Sequence, residues 1–411
     1  MSGRGTGLYA IFLSAVGYWL SFSMIRPILT LYFHDLGYGT ATIGLLMSAQ
    51  AILPVFLAIP LGGLIDRIGP RRAVLAGSAL GTGSGAMLMA GYYHEWLAPV
   101  MLSQIVNGIG AMLVWSALQA AASVTARTID GGAKKNDLLS QFSFVASLAQ
   151  LAGPAAGGML SDAGGYSAVF LVFGLLNAAG VLMALRLPRE GKGKRREVSF
   201  RFWRSYADGY RLMRDNRAYA AAIGLNAVLF VLVDVRSTFV PLFLAEQRFT
   251  HASIGAALAA AAAASMLIRP FVGRLLDRLG YRAIMAASIL SGGAFMLLLS
   301  AGLPFWATAA IMFGWGLCTG VNQPMAMIMV SSSLDDRNQG MGMSIRSMAN
   351  RTVSGLNPLV FGGISGIVGL PVAFAGMGAA LLAFGAWYRL RRSGVMPRET
   401  DAPQGAANSS G

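Results

Sequence analysis

Along this chain the apolar positions run together in long blocks, and short stretches of glycine, proline and charge separate one block from the next. A helix needs about 20 consecutive apolar residues to cross the hydrocarbon core of a bilayer, and these blocks reach that length. The pattern predicts twelve helices, near residues 8–33, 40–66, 73–92, 96–126, 137–161, 166–186, 217–245, 252–277, 282–301, 304–333, 339–363 and 368–390. The first block, Leu8 to Phe33, outruns the core of a signal peptide and holds Arg26, so it is expected to remain as an uncleaved first span.

The longest connection divides the helices six and six. The expected organisation is therefore a six-helix bundle over 1–187, a basic cytoplasmic linker over 188–216, a second bundle over 217–392 and a small, polar, disordered tail over 393–411. Within the linker, Phe202, Trp203, Tyr206 and Tyr210 stand among Arg201, Arg204, Arg211 and Arg214, which predicts an amphipathic helix lying on the anionic lipids of the inner leaflet. A nucleic-acid-binding arm is the rival reading of the same charge, and no nucleic-acid partner is expected.

Composition fits a membrane protein. The chain is 55% hydrophobic and 12% charged, against roughly 25% charged in a soluble globular protein. Its net charge of +15 sorts by side: Arg67, Arg71, Arg72, Arg127, Lys134, Lys135, Arg278, Arg282 and Arg337 fall in alternate connections, and Arg248 lies opposite. The positive-inside rule makes the basic side cytoplasmic, with both termini there and the chain in the cell membrane. Cys318 is a lone cysteine, and His34, His94 and His251 are scattered, so neither a disulfide nor a metal set is expected. The run Gly81 to Gly85 lies inside a predicted span with no strand before it, so it reads as helix packing and not as a dinucleotide loop. No nucleophile paired with a base is apparent, so the expectation is a protein that is not an enzyme and carries no cofactor.

The two halves repeat each other. Gly62-Gly63-Leu64-Ile65-Asp66-Arg67-Ile68-Gly69 returns as Gly273-Arg274-Leu275-Leu276-Asp277-Arg278-Leu279-Gly280, Ile43-Gly44 returns as Ile254-Gly255, and Arg26 answers Arg236 one residue out of register. A duplicated six-helix unit accounts for all three. The loop segments resemble the signature of the major facilitator superfamily, with Pro70 and Tyr281 replacing the usual basic residue before Arg71 and Arg282. The resemblance implies an all-α membrane fold of two pseudo-symmetric six-helix bundles, working by alternating access. It also implies a cytoplasmic gate built from Gly62, Asp66, Arg67, Gly69 and Arg71 and from Gly273, Asp277, Arg278, Gly280 and Arg282, with Arg346 as partner of Asp66. Independently of family, a carboxylate at a helix end can hold a neighbouring helix start or an arginine; ordinary positive-inside charge plus a turn is the bland alternative.

In predicted helix 5, Ala149 followed by Gly153, Pro154, Gly157 and Gly158 resembles the antiporter motif of proton-coupled drug exporters, and Asn357-Pro358 with Gly362-Gly363 echoes it in helix 11. Close packing and a proline bend would explain the same residues. Such exporters often carry an arginine where this chain has Asn107.

A charge at the bilayer centre costs about 2.5 to 3.5 kcal/mol, so each must face a partner or water. Arg26, Asp234, Arg236, Arg269, Arg346 and Arg351 fall within predicted spans, with Asp35 and Glu246 at outer ends. The resemblance implies a cavity lined by helices 1, 4, 7 and 10, which nominates Arg26, Trp115, Gln119, Asn226, Asp234, Arg236, Asn322 and Gln323 for substrate contact. Each polar residue would also serve as interhelical glue, and Arg26 with Asp234 as a structural ion pair. Asp234 is the leading proton carrier, with Asp35 and Glu246 as alternates. The expected function is proton-coupled export of a small organic molecule by a monomer, with surplus arginine favouring an anion. Uptake with protons is the alternative, and a non-transporting receptor or scaffold the reading from another class.

Overall fold

The computed structural model describes residues 2–127, 132–187, 202–334 and 339–390. The basic run before residue 202, Arg337 and the tail lie outside the described residues; Gly62, Asp66, Lys134, Lys135, Phe202, Trp203 and Tyr206 are described as helical backbone alone.

Among the described residues every element is helical: α1 (Ser2–Asp35), α2 (Thr40–Ile68), α3 (Pro70–His94), α4 (Leu97–Arg127), α5 (Gly132–Leu185), α6 (Phe202–Asp215), α7 (Arg217–Glu246), α8 (His251–Ile268), a 3₁₀ turn (Arg269–Phe271), α9 (Val272–Leu299), α10 (Phe305–Gly320), α11 (Asn322–Ser333), α12 (Gln339–Val368) and α13 (Leu370–Leu390). Among the described residues, eight helical segments are long and apolar enough to cross a membrane. Two of these, Gln141–Leu185 and His251–Leu299, have 45 and 49 residues. At 1.5 Å per residue each exceeds twice a hydrocarbon core of about 30 Å. Non-helical backbone at Gly165 and Gly280 turns the chain within them. Predicted helices 5 and 6 therefore fall in one element, and predicted helix 8 is split by the turn at Pro270. Predicted helix 10 breaks between α10 and α11, where Pro324 has no N–H to offer the last carbonyls of α10.

The backbone repeats as the sequence does. Among the described residues, those with φ between 55° and 87° fall into corresponding pairs: Gly37 with Arg248, Gly69 with Gly280, Glu95 with Gly302 and Gly165 with Gly369. Gly69 (φ 87, ψ 153) and Gly280 (φ 73, ψ 159) occupy a region open essentially to glycine, so the repeated motif ends in the same turn twice. The turn after α1 and the turn after α7 even share hydrogen bonds: Gly37 N–H donates to His34 and Tyr38 to Phe33, as Arg248 donates to Ala245 and Phe249 to Leu244.

α1 packs on α5, α3 on α4 and α5, α8 on α10, α9 on α13 and α7 on α12. Two seams, α2 against α12 and α5 against α8, join the first repeat to the second. Both need glycine. A Cβ on Gly44 would overlap the Pro358 carbonyl of α12, and a Cβ on Gly255 would overlap the Pro154 carbonyl of α5. Gly362 lies against Gly44, and Gly158 against His251. Large apolar side chains such as Leu175, Leu182, Val372 and Ile367 are exposed, as contacts with lipid require.

Candidate functional site

Asp234 sits midway along α7 with its side chain wholly buried, where an uncompensated carboxylate would be prohibitive. Its partners come from two other helices. Arg26 of α1 donates Nη2 to Oδ1 at 2.5 Å and also to Thr238 Oγ1 at 3.0 Å. From α12, Ser354 Oγ donates to Oδ1 at 3.1 Å and Asn357 Nδ2 to Oδ2 at 2.8 Å. Ser354 and Asn357 are three apart and so share one face of α12. The carboxylate thus ties α1, α7 and α12 together, and Arg26 Nε is left buried without a partner among the described residues.

Positions two apart on a helix point about 200° apart. Arg236 accordingly turns to α10, donating Nη1 to Thr319 Oγ1 at 2.8 Å. Arg269 crosses the α5–α8 seam to Ser147 Oγ at 2.6 Å. Arg346 lies within electrostatic reach of Tyr219, and Arg351 of Tyr18 and Arg26. None of these four arginines has a carboxylate partner among the described residues.

Trp115 belongs to an aromatic wall. Its ring stacks between Tyr18 (6.0 Å, 10°) and Phe142 (5.8 Å, 13°), with Trp19 edge-on at 5.0 Å, and Phe22 stacks on Tyr18 in turn. Arg351 of α12 lies within electrostatic reach of Tyr18 in this wall. Asn226 donates to Asn350 of α12 at 2.7 Å. Asn322 is buried at the α10–α11 break with its Oδ1 unpartnered among the described residues, whereas Gln119 and Gln323 are exposed. Sequence reasoning missed Tyr18, Phe22, Ser354 and Asn357 as site residues; the spacing of Tyr18 and Phe22 on one face of α1 was the available signal for the first two.

At the end of the bundle near Gly44 and Gly158, Asp35 accepts from Tyr166 Oη at 2.5 Å, and Glu246 is exposed within electrostatic reach of His34. Asp162 caps α8, accepting from the N–H groups of His251 (3.1 Å) and Ala252 (2.8 Å), while Ser161 Oγ lies 2.9 Å from His251 Nδ1. At the opposite end, Arg67, Gly273, Asp277 and Arg278 are exposed, and Asp277 makes no hydrogen bond or ion pair among the described residues. Arg71 is half-buried there. Arg282 donates to the carbonyls of Tyr388 (3.0 Å) and Arg389 (3.4 Å), closing the last turn of α13, where its charge also suits the helix dipole. In α5, Gly153 and Gly157 admit Met24 of α1, and Pro154 and Gly158 admit α8, so the glycine-proline motif makes two close contacts at once.

The family model described as the Major Facilitator Superfamily matches residues 11–248 and 237–410. Curated relatives include a tetracycline resistance protein, class C, of Escherichia coli, 26% identical over 93% of this chain and 96% of that protein. Another is the multidrug resistance protein MdtG of Citrobacter koseri, 24% identical over 90% and 92%. Among solved structures, the nucleoside transporter NupG superposes with a TM-score of 0.75 at 15% identity over 94% of this chain and 98% of its own, a likeness of fold.

Proposed function

The chain belongs to the major facilitator superfamily and is a multi-pass membrane transporter of small molecules, not an enzyme; from that premise we propose that it exports a small organic molecule in exchange for protons. Asp234 carries the proton, and the substrate binds beside the aromatic wall of Tyr18 and Trp115, between it and the Arg26–Asp234 pair. The observation behind this reading is the buried Arg26–Asp234 pair, a carboxylate held across the two repeats by donors whose bonds must rearrange when it is protonated. The resistance proteins among the relatives and the glycine-proline motif of α5 support the outward direction. The aromatic wall supports a substrate with a flat apolar part. Both termini are cytoplasmic in this reading, and α6 rests on anionic lipid.

Exchange requires substrate and proton to exclude each other, which a group competing with Arg26 for the Asp234 carboxylate would achieve. The second reading, uptake with protons, is favoured by Arg26 itself. An anion that takes Arg26 away leaves a buried, unpaired carboxylate that must gain a proton, so anion and proton would load together.

The test is transport by purified protein in oriented proteoliposomes under an imposed pH gradient, over a panel of organic cations, neutral compounds and anions. Proton-driven movement of a panel member, lost in Asp234→Asn, supports the proposal. Full pH-driven movement in Asp234→Asn removes the assignment of the proton carrier.

A further inference from the structure

We infer that Asn357 and Ser354 are positioning residues that read the protonation state of Asp234 and pass it, through α12, to the seam between α12 and α2. The inference rests on the reading of Asp234 as the proton carrier.

In the register that pairs Arg26 with Arg236, Met24 of α1 corresponds to Asp234 of α7; in the register that pairs Gly165 with Gly369, the motif that begins at Gly153 in α5 corresponds to the one that begins at Asn357 in α12. The structure places both pairs in the same contact. Gly153 lies on Met24, where a Cβ would approach its backbone N to 2.9 Å, and Asn357 lies on Asp234. Helix packing at this position is therefore satisfied in one repeat by glycine and methionine. The polar pair in the other repeat brings a buried charge that packing alone does not require.

Asn357 is followed by Pro358, which cannot donate to the Ser354 carbonyl four residues back. The residues that hold the carboxylate thus sit where α12 has lost one helical hydrogen bond and bends at least cost. The carbonyl of Pro358 and the Cα of Gly362 form the surface on which Gly44 of α2 closes. The donors to Asp234, the hinge and the seam all lie on one stretch of α12, between Ser354 and Gly362.

A proton on Asp234 converts an acceptor of three hydrogen bonds into a group that also donates. Ser354 can turn its hydroxyl to accept, and Asn357 can present its amide oxygen in place of its NH₂. Either change alters how α12 meets α7 at the hinge. The seam, which tolerates no Cβ at Gly44, has little slack to absorb it.

The experiment uses the full chain in proteoliposomes, carrying Leu45→Cys on α2 and Ile367→Cys on α12 in a Cys318→Ser background. Both chosen sites are exposed, and spin labels there report the seam. Lowering the pH should change the label distance in a single titration. Asn357→Leu should move its midpoint upward by about one pH unit, the size expected for one lost hydrogen bond to a charged group. Ser354→Ala should move it less in the same direction, and Asn357→Gln should restore much of it. An unchanged midpoint in both Asn357→Leu and Ser354→Ala, or a distance that ignores pH in the unmodified protein, overturns the inference. Should Asn357→Leu not fold, Ser354→Ala and Asn357→Gln decide by the same criterion. Asp234→Asn separates the two levels. If it abolishes the titration while the α12 variants leave it unmoved, the inference alone fails; if it leaves the titration intact, the assignment of Asp234 fails.

Discussion

Arg26 and Asp234, on helices from different repeats, meet at 2.5 Å with the carboxylate wholly buried. Removing one partner of such a pair strands a charge, at a cost of about 3 to 5 kcal/mol, whereas replacing both by apolar groups of similar size is often close to neutral. Arg26→Leu is therefore expected to lower thermal stability in detergent sharply, and Arg26→Leu combined with Asp234→Leu to recover most of it. Both forms should be inactive in transport. Equal instability of the single and double variants would mean that the pair is not coupled.

The seams make a steric prediction. A side chain at Gly44 or Gly255 would overlap a proline carbonyl of the facing helix, and backbone does not move aside as a side-chain tip does. Gly44→Val and Gly255→Val should fold, because lipid or water can fill a parted seam, but should fail to close this end of the bundle. Alkylation of a cysteine placed at Thr40 should be faster in Gly44→Val than in a control with Gly363→Val, where a Cβ meets nothing within 4 Å. Equal rates would count against closure by this seam.

The helical architecture was legible because blocks of apolar residues announce themselves by length alone. The duplicated motif was legible because Gly69 and Gly280 must be glycine to turn as they do. Less visible were the breaks at Pro270 and Val321, since a buried helix interrupted by proline keeps its apolar composition. Of the site, the buried charges stood out against their surroundings, and a spacing of two residues on a helix is enough to part Asp234 from Arg236. The donors Ser354 and Asn357 did not stand out: nothing in a helix rich in glycine and serine marks which polar side chain faces a carboxylate on another helix.

Asp162 bonds the first two N–H groups of α8 across the α5–α8 seam, joining the repeats as a helix cap. Loss of such a cap costs about 0.5 to 2 kcal/mol. Asp162→Ala should reduce stability by that amount and expose His251 to modification. Asp162→Ser, which can still accept a bond, should lose less. The comparison is read by thermal unfolding in detergent and by the rate of diethylpyrocarbonate labelling of His251. A rate equal to that of the unmodified protein would show that the cap does not hold the seam shut.

The sign of coupling depends on where the substrate binds. Arg351 lies within electrostatic reach of Tyr18, which stacks on Trp115, and has no carboxylate partner among the described residues, while Arg26 is already neutralised by Asp234. An anion therefore finds its uncompensated charge at Arg351, and a flat apolar body finds Trp115. A substrate group that competes with Arg26 for the Asp234 carboxylate excludes the proton, whereas one that draws Arg26 away makes the proton bind with it. Binding of a transported compound, measured by quenching of tryptophan fluorescence across pH, distinguishes the cases. Weaker binding at low pH means competition, and exchange; tighter binding at low pH means joint loading, and uptake. For an anionic compound, Arg351→Gln should weaken binding about tenfold or more, the loss of one charge-assisted contact. Trp115→Leu should weaken it whatever the charge. An anionic substrate that binds Arg351→Gln as tightly as the unmodified protein would move its carboxylate to another of the unpaired arginines, Arg236 or Arg346.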